Sequence, residues 1–217
     1  MGSTFIYSKR EEIANAITHG IGIVFSVIAL VLLLLNSIPT GSLWHIVSLT
    51  IYGATMILLY VCSTLLHSFP EGKIKDFFEI LDHSAIYLFI AGTYTPFLFL
   101  VVKGSLSWVL FGLVWGLAVF GVVFKAFFVK RFNLLSTLVY IIMGWLIVIA
   151  WRSLVETLPT PGMTLLVIGG LLYTIGTIFY VWRAFPFHHA VWHIFVLGGT
   201  AVHFFAVLFY VLPLPIY

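Results

Sequence analysis

Long apolar stretches separated by short polar joints dominate this chain. A helix of about 20 apolar residues crosses the hydrocarbon core of a bilayer. Seven stretches have that length and carry few or no charges. They are Ile13–Leu35, Leu43–Leu66, Ile80–Val102, Leu106–Phe124, Phe132–Trp151, Met163–Trp182 and Phe187–Leu212. Because backbone groups inside lipid find no water to bond with, we expect each stretch to form a helix.

The joints between these stretches are short, so sequential helices should run antiparallel. We therefore expect an all-α integral membrane protein, with residues 1–217 forming one seven-helix bundle. Ser8-Lys9-Arg10-Glu11 matches the capping box that begins a helix. It predicts a short N-terminal interfacial helix at about residues 9–17. Gly112 and Gly116, four residues apart, predict a close approach between two helices.

Composition supports a membrane protein and excludes several other classes. Of 217 residues, 62% are hydrophobic and 8% are charged, whereas soluble domains are about 25% charged. That gap excludes a water-soluble enzyme and a disordered chain. The formal net charge is +3 and the cations are scattered, which excludes a nucleic-acid partner. The single cysteine, Cys62, excludes an internal disulfide.

The lysines and arginines predict an orientation. Two cations, Lys103 and Arg152, fall on one side of the predicted bundle. The other eight fall on the opposite side: Lys9, Arg10, Lys73, Lys75, Lys125, Lys130, Arg131 and Arg183. The positive-inside rule then puts the N-terminus in the cytoplasm and the C-terminus outside the cell membrane.

Ionisable residues within the apolar stretches are candidates for function because burying them in lipid is costly. His67 ends the second stretch, and Asp82 lies near the start of the third. His189 and His193 lie near the start of the seventh. All four fall near the predicted cytoplasmic side, so histidine and carboxylate groups from distant parts of the chain share one depth.

This set predicts a zinc site. His189 and His193 lie about 6 Å apart along a helix and about 40° apart around it, so both imidazoles can bind one ion. His67 supplies a third imidazole from another helix. Three neutral histidines leave one coordination position open, as in catalytic zinc sites. Asp82 would bind Zn²⁺ directly, or would hold and deprotonate the water bound to it.

Other polar residues near this set have two readings each. Ser63 lies one turn before His67 and either bonds to its own backbone or polarises a substrate. Glu12, Asn15 and His19 form one polar stripe by their spacing. The stripe is either a solvated interfacial face, or it lines the site and closes it from the cytoplasm.

The remaining histidines are expected to be structural. For His45 and His203 we expect hydrogen bonds between helices. His203 lies about 15 Å from His193 along the helix, too far to share one ion. For His83 we favour packing, or orientation of Asp82, over metal binding. His188 points about 100° away from its neighbour His189 and is left out of the site.

Four sequence motifs resemble those of bacterial hemolysin III-type proteins. They are Glu12-Ile-Ala-Asn15-Ala-Ile-Thr-His19-Gly20, Ser63-Thr-Leu-Leu-His67, Asp82-His83-Ser84-Ala85-Ile86-Tyr87 and His189-Ala-Val-Trp-His193. That family is related to the progestin and adiponectin receptors, and more distantly to the alkaline ceramidases. The resemblance implies a seven-helix fold with the N-terminus inside. It also implies zinc held by His67, His189 and His193 with an Asp82-bound water, and hydrolysis of lipids.

Three functions are compatible with these features. The first is a zinc-dependent hydrolase of a lipid amide or ester, with Asp82 as general base and Ser63 beside the oxyanion. The second is a non-enzymatic sensor of membrane lipids in which zinc only joins helices. The third is a channel or pore, which would need polar residues across the whole membrane depth. In the first two, membrane lipids are the expected partners.

Overall fold

A computed structural model describes residues 7–40 and 42–215, and every regular element in them is helical. Seven segments of this part are long and apolar enough to cross a membrane, which confirms the predicted all-α membrane fold. The fifth crossing consists of two helices joined by a 3₁₀ segment. The helices are α1 (Lys9–Ser37), α2 (Leu43–Ser68), α3 (Lys73–Leu100), α4 (Ser105–Phe128), α5 (Asn133–Trp145), α6 (Trp151–Thr157), α7 (Thr160–Val181) and α8 (His188–Ala206).

The first helix begins where the capping box predicts. The backbone N–H of Glu11 donates to the Ser8 hydroxyl at 3.3 Å, and the N–H of Ser8 donates to the Glu11 carboxylate at 2.9 Å. Residues 9–17 are the first turns of the continuous helix α1 and do not form a separate short helix. Their position in the membrane interface stays a prediction.

The largest differences from the predicted apolar runs lie in the third and fifth crossings. Helix α3 begins at Lys73, seven residues before the predicted start at Ile80. Its first two turns carry charges that water can solvate, so hydropathy marks where lipid begins and not where the helix begins. The fifth run, predicted as one helix over Phe132–Trp151, is interrupted by the 3₁₀ segment Leu146–Ala150 and continues as α6 to Thr157.

The interruption of the fifth crossing is stabilised from α3. The hydroxyl of Tyr94 lies 2.8 Å from the carbonyl oxygen of Met143 and 2.7 Å from that of Gly144. It also accepts the backbone N–H of Ile147 at 2.8 Å. Backbone groups that leave the α-helical pattern in lipid need such a partner. Tyr94 is buried and supplies it.

The helices surround an internal cavity. Helix α1 packs between α2 and α8, and α3 packs between α2 and α4. Helix α7 packs along α8, and α5 bridges α3 and α7. The cavity is lined from α1, α2, α3, α5, α7 and α8, whereas α4 lies against the far side of α3. Many large apolar side chains point outward, as expected for a surface that faces lipid.

The predicted close approach at Gly112 and Gly116 is wrong for the described residues. A Cβ added at either position would have nothing within 4 Å. Other glycines make the close approaches, among them Gly121 on α4 and Gly92 on α3. At Gly92 an added Cβ would lie 2.9 Å from the Cβ of Thr55 on α2. Glycines that face lipid and glycines that face a helix have the same sequence pattern, so spacing could not distinguish them.

We expect Gly92→Ala to destabilise the protein by about 1–3 kcal/mol, because the new methyl group overpacks a tight contact. Gly112→Ala is the matched control, since alanine is favoured over glycine in a helix by up to about 1 kcal/mol. Thermal unfolding of both variants in one detergent measures the difference. Equal melting temperatures for the two variants would contradict the assigned α2–α3 contact.

Candidate metal centre

Three buried histidines from two helices meet at one end of the bundle. His67 is the second-to-last residue of α2, and His189 and His193 lie in the first two turns of α8. One nitrogen from each ring can be chosen so that all three lie within 4.8 Å of one another. The sequence predicted these three ligands, and the fold brings them together.

His67 is oriented by a carboxylate from α1. Its Nδ1 lies 2.6 Å from Oε2 of Glu12, and the side-chain amide of Asn15 lies 3.5 Å from the same nitrogen. Because a carboxylate oxygen accepts, Nδ1 carries the proton and Nε2 keeps its lone pair. Nε2 is buried and has no hydrogen-bond partner in the described part of the chain. Carboxylates often hold metal-binding imidazoles in this way.

Glu12 has a second partner that the sequence did not reveal. Its other oxygen accepts from the ammonium group of Lys75, which also lies 3.0 Å from Glu71. The side chains of Glu12 and Lys75 are each only 15% exposed. From the sequence, Lys75 was counted only among the charges that predict the orientation in the membrane. It lies 63 positions after Glu12, and no helical spacing connects the two residues. Lys75 keeps Glu12 charged and in place beneath His67.

His193 is oriented by the backbone and a hydroxyl of α1. Its Nδ1 lies 3.2 Å from the carbonyl oxygen of Asn15 and 3.0 Å from Oγ1 of Thr18. The carbonyl can only accept, so Nδ1 carries the proton and Nε2 is the nitrogen with a lone pair. Thr18 was missed in the sequence. It lies three residues after Asn15, and that helical spacing was the signal for it.

Two aromatic rings cover the cluster. His19 stacks on His193 with 3.5 Å between ring centres and 12° between planes. Tyr7, which precedes α1, lies with its ring 5.1 Å from that of His189 and 5.9 Å from that of His67. Burial raises the pKa of the Tyr7 phenol, so its hydroxyl stays neutral at physiological pH. Sequence reasoning did not single out Tyr7, which has no periodic relation to the motifs.

The predicted polar stripe of α1 therefore lies against the histidines. Asn15 and His19 are buried, and the Glu12 side chain contacts His67. Neither ring nitrogen of His19 has a hydrogen-bond partner within residues 7–40 and 42–215. Of the two readings of this stripe, the structure places it in the interior of the bundle.

Asp82 and Ser63 line the same cavity as the three histidines but stand apart from their cluster. Both are buried. The group of ligand atoms that lie within 4.8 Å of one another contains the histidines and not Asp82. The Ser63 hydroxyl lies beside the Asp82 carboxylate and interacts with it. This arrangement favours a role for Asp82 through water over direct coordination.

The cavity has a volume of about 230 Å³. Charged residues line its outer end near the cluster, among them Lys75, Asp76 and Lys130. Asp76 lies 2.5 Å from the Lys130 ammonium, and this hydrogen bond raises the lysine pKa. Beyond the histidines the walls become largely apolar and reach Trp145 and His203 inside the bundle. The cavity is thus polar near the histidine cluster, and its inner part is suited to an apolar acyl chain.

The other histidines lie outside the cluster. His45 contacts the carbonyl oxygen of Leu212 at 3.1 Å, and His203 contacts that of Leu166 at 2.9 Å. The predicted hydrogen bond between helices is confirmed for His203, because Leu166 lies in α7. The acceptor of His45 follows the last helical segment, so that bond does not join two helices. His83 is held by the carbonyl oxygen of Glu79 at 2.8 Å and by the Tyr180 hydroxyl at 3.3 Å.

Three histidine nitrogens are a donor set that zinc can use. Two of its rings, those of His67 and His193, have their Nδ1 protons committed to oxygen acceptors, which directs their Nε2 lone pairs elsewhere. Ligand atoms around tetrahedral zinc lie about 3.4 Å apart. The three nitrogen atoms, all within 4.8 Å of one another, are therefore close to that arrangement. The His67 Nε2 lacks a partner in the described residues and has the character of a metal ligand.

Comparison with known proteins gives one family. The sequence profile described as "Haemolysin-III related" matches residues 7–204. The chain is 58% identical over 210 residues to "Hemolysin-3 homolog" of Bacillus subtilis (strain 168). That alignment covers 97% of this chain and 99% of the relative. It is 55% identical over 204 residues to "Hemolysin-3" of Bacillus cereus, covering 94% and 93% of the two chains.

A more distant similarity extends to animals. The chain is 29% identical over 211 residues to the human "Monocyte to macrophage differentiation factor", which covers 94% of this chain and 86% of that protein. This match covers nearly the whole length of the chain.

Proposed function

The chain belongs to the Haemolysin-III related family of multi-pass membrane proteins, and on that premise we propose that it is a zinc-dependent hydrolase of a lipid amide or ester bond. One observation carries the proposal. Three buried imidazoles with ligand atoms within 4.8 Å of one another line an elongated cavity that also holds a buried carboxylate. Three histidines and an open position are typical of catalytic rather than structural zinc.

His67, His189 and His193 would hold the metal. Zinc, when bound, supplies Lewis acidity and lowers the pKa of water into the physiological range. Glu12 fixes the ring of His67 by accepting its Nδ1 proton, and the Asn15 carbonyl does the same for His193. These contacts hold the imidazoles in one tautomer, which pre-organises the site.

Asp82 would act as the general base. Its carboxylate is buried on the cavity wall and would take a proton from water as the water attacks the substrate carbonyl. The same carboxyl group would then deliver that proton to the leaving amine or alcohol. The Ser63 hydroxyl, which lies beside the Asp82 carboxylate, would turn to donate its proton to the carbonyl oxygen as negative charge develops there.

The cavity beyond the cluster suits a long-chain substrate. Its walls include Leu59, Ile86, Phe89, Ile90 and Val196. An acyl chain buried against such a surface gains about 0.8 kcal/mol per methylene group. We infer that a lipid enters from the membrane, places its carbonyl at the histidines and extends its chain inward. The protein would act in the plasma membrane, with the cluster near the cytoplasmic face.

A direct assay tests the proposal. Purified protein with bound zinc would be incubated with a panel of ceramides, phospholipids and acyl-CoAs, and the released fatty acid measured. We expect hydrolysis of at least one class, and loss of that activity after chelation. Protein that carries one zinc per chain and is inert toward the whole panel would count heavily against an enzyme.

A second function follows from the positions of the ligands. Zinc at this cluster would connect the end of α2 to the start of α8, and Glu12 would extend the connection to α1. Such a cross-link would stabilise the bundle without any reaction, as a membrane-lipid sensor with structural zinc requires. The two functions differ in their need for Asp82, which neither helps to cluster the histidines nor joins these helices.

We expect Glu12→Gln to weaken zinc binding by about 10- to 100-fold, because the amide is a poorer partner for the His67 Nδ1 proton. Glu11→Gln is the matched control. It changes the neighbouring carboxylate, which caps α1 and accepts the backbone N–H of Phe187 at 3.0 Å. The side-chain oxygen of glutamine can accept the same bonds. Competition with a fluorescent chelator measures both affinities. Equal affinities in the two variants would remove Glu12 from the site.

A further inference from the structure

The inner end of the cavity contains a buried hydrogen-bond acceptor. His203 lines the cavity and is 6% exposed. Its Nε2 lies 2.9 Å from the carbonyl oxygen of Leu166 on α7. Because a carbonyl only accepts, Nε2 carries the proton of the neutral imidazole and Nδ1 has the lone pair. Nδ1 is buried and has no hydrogen-bond partner within the described residues.

The other polar groups at this end already have partners. The hydroxyl groups of Tyr173 and Thr200 lie 3.0 Å apart, and the indole N–H of Trp145 donates to Thr174 at 2.9 Å. The Cδ2–Nε2 edge of His203 faces α7, so Nδ1 lies across the ring from that contact. Among these groups of the described residues, His203 Nδ1 is therefore the one left without a partner, and it is an acceptor.

We propose that His203 Nδ1 binds a hydroxyl group carried on the chain of the lipid that occupies the cavity. His203 follows His193 by ten residues on α8, which separates the two by about 15 Å along the helix. The hydroxyl would thus lie well along the chain, far from the carbonyl end. This inference deepens the proposed function and rests on it for the orientation of the lipid, since it places the carbonyl end at the histidine cluster.

The physical reason is the cost of an unpaired acceptor. Covering His203 Nδ1 with a plain methylene chain leaves a buried polar atom without a partner, which is unfavourable. A hydroxyl on the chain restores the hydrogen bond. An ordered water that stays in place would also satisfy Nδ1, and the protein would then not distinguish the two lipids.

Matched lipids test this in the zinc-loaded protein in detergent. The probes are stearic acid and a series of hydroxystearic acids with the hydroxyl at successive chain positions. Binding is followed by tryptophan fluorescence, because Trp145 and Trp192 line the cavity. We expect the best hydroxystearate, with its hydroxyl near mid-chain, to bind about fivefold more tightly than stearate. Equal affinities across the series, or no binding of any member, would overturn the proposal.

Two variants identify the atom responsible. His203→Gln places an amide N–H near the position of Nε2, keeps the donor to Leu166 and removes the Nδ1 acceptor. His203→Asn keeps a polar acceptor near Nδ1 and loses the bond to Leu166. We expect glutamine to abolish the preference for hydroxystearate with little change in stearate affinity, and asparagine to retain part of it. The reverse pattern would refute the assignment to Nδ1.

The binding experiment and the hydrolysis assay can refute the two proposals independently of each other. A preference for the hydroxylated lipid that disappears in His203→Gln supports the subsite even if the lipid panel shows no hydrolysis. Hydrolysis of a panel lipid together with equal stearate and hydroxystearate affinities leaves the enzyme proposal intact and removes the subsite.

Discussion

Replacement of any one of the three clustered histidines by alanine is expected to remove most of the zinc from the purified protein. His67, His189 and His193 would each supply one of three protein ligands, and two imidazoles with water hold the ion poorly. The zinc content found by metal analysis should fall from about one zinc per chain in the parent to a small fraction of that in each variant. Thermal stability should fall as well, because a metal that binds only the folded state adds its binding free energy to stability.

His45→Ala and His203→Ala are the matched controls. Each removes a buried imidazole that hydrogen-bonds to a backbone carbonyl, so packing losses are comparable. His45 lies 22 residues before His67 on α2, about 33 Å away along the helix. Both controls should keep their zinc. Excess chelator should lower the melting temperature of the parent and the controls, with little further change in the three ligand variants. Loss of zinc in His203→Ala with retention in His67→Ala would disprove the site.

The fold was largely predictable because lipid imposes a strong rule on sequence. Any segment that crosses the membrane must be apolar and must pair its own backbone, so seven runs gave seven crossings. The break at Leu146–Ala150 was not predictable from its own residues, which are apolar and contain no proline or glycine. It depends on the Tyr94 hydroxyl, which arrives from α3 and is a matter of tertiary structure.

The candidate site was predictable where helical spacing carries the information. The four-residue step between His189 and His193 and the steps from Glu12 to Asn15 to His19 place side chains on common faces. The predicted depth of His67 in the membrane was enough to group it with these residues. Spacing could not decide whether the stripe on α1 faced inward, because a solvated face has the same period.

Contacts made by single residues from remote segments were not predictable. Lys75 reaches Glu12 from the start of α3, and Tyr7 reaches the histidines from outside any helix. The protonated nitrogen atoms of His67 and His193 could likewise be assigned only from the hydrogen-bond acceptors that the fold places beside them. These contacts depend on how helices rotate and tilt against one another, which composition and period do not specify.

Asp82→Asn should distinguish an enzyme from a sensor with structural zinc, because the two predict very different effects on catalytic turnover. The amide has nearly the same size and cannot take up a proton at the working pH. If Asp82 is the general base, turnover of the lipid identified in the panel should fall by about 10²- to 10⁴-fold. Zinc content should stay near that of the parent, because the clustered ligand atoms come from the three histidines and not from Asp82.

Asp76→Asn is the control for this substitution, since it makes the same chemical change two turns earlier on α3. Asp76 pairs with Lys130 at the charged outer end of the cavity, where an exposed ion pair is worth less than about 1 kcal/mol. That variant should retain activity within a few-fold. Loss of zinc in Asp82→Asn would make Asp82 a direct ligand. Retention of zinc, fold and cellular function in Asp82→Asn would remove proton transfer from the mechanism and leave zinc as a cross-link between α2 and α8.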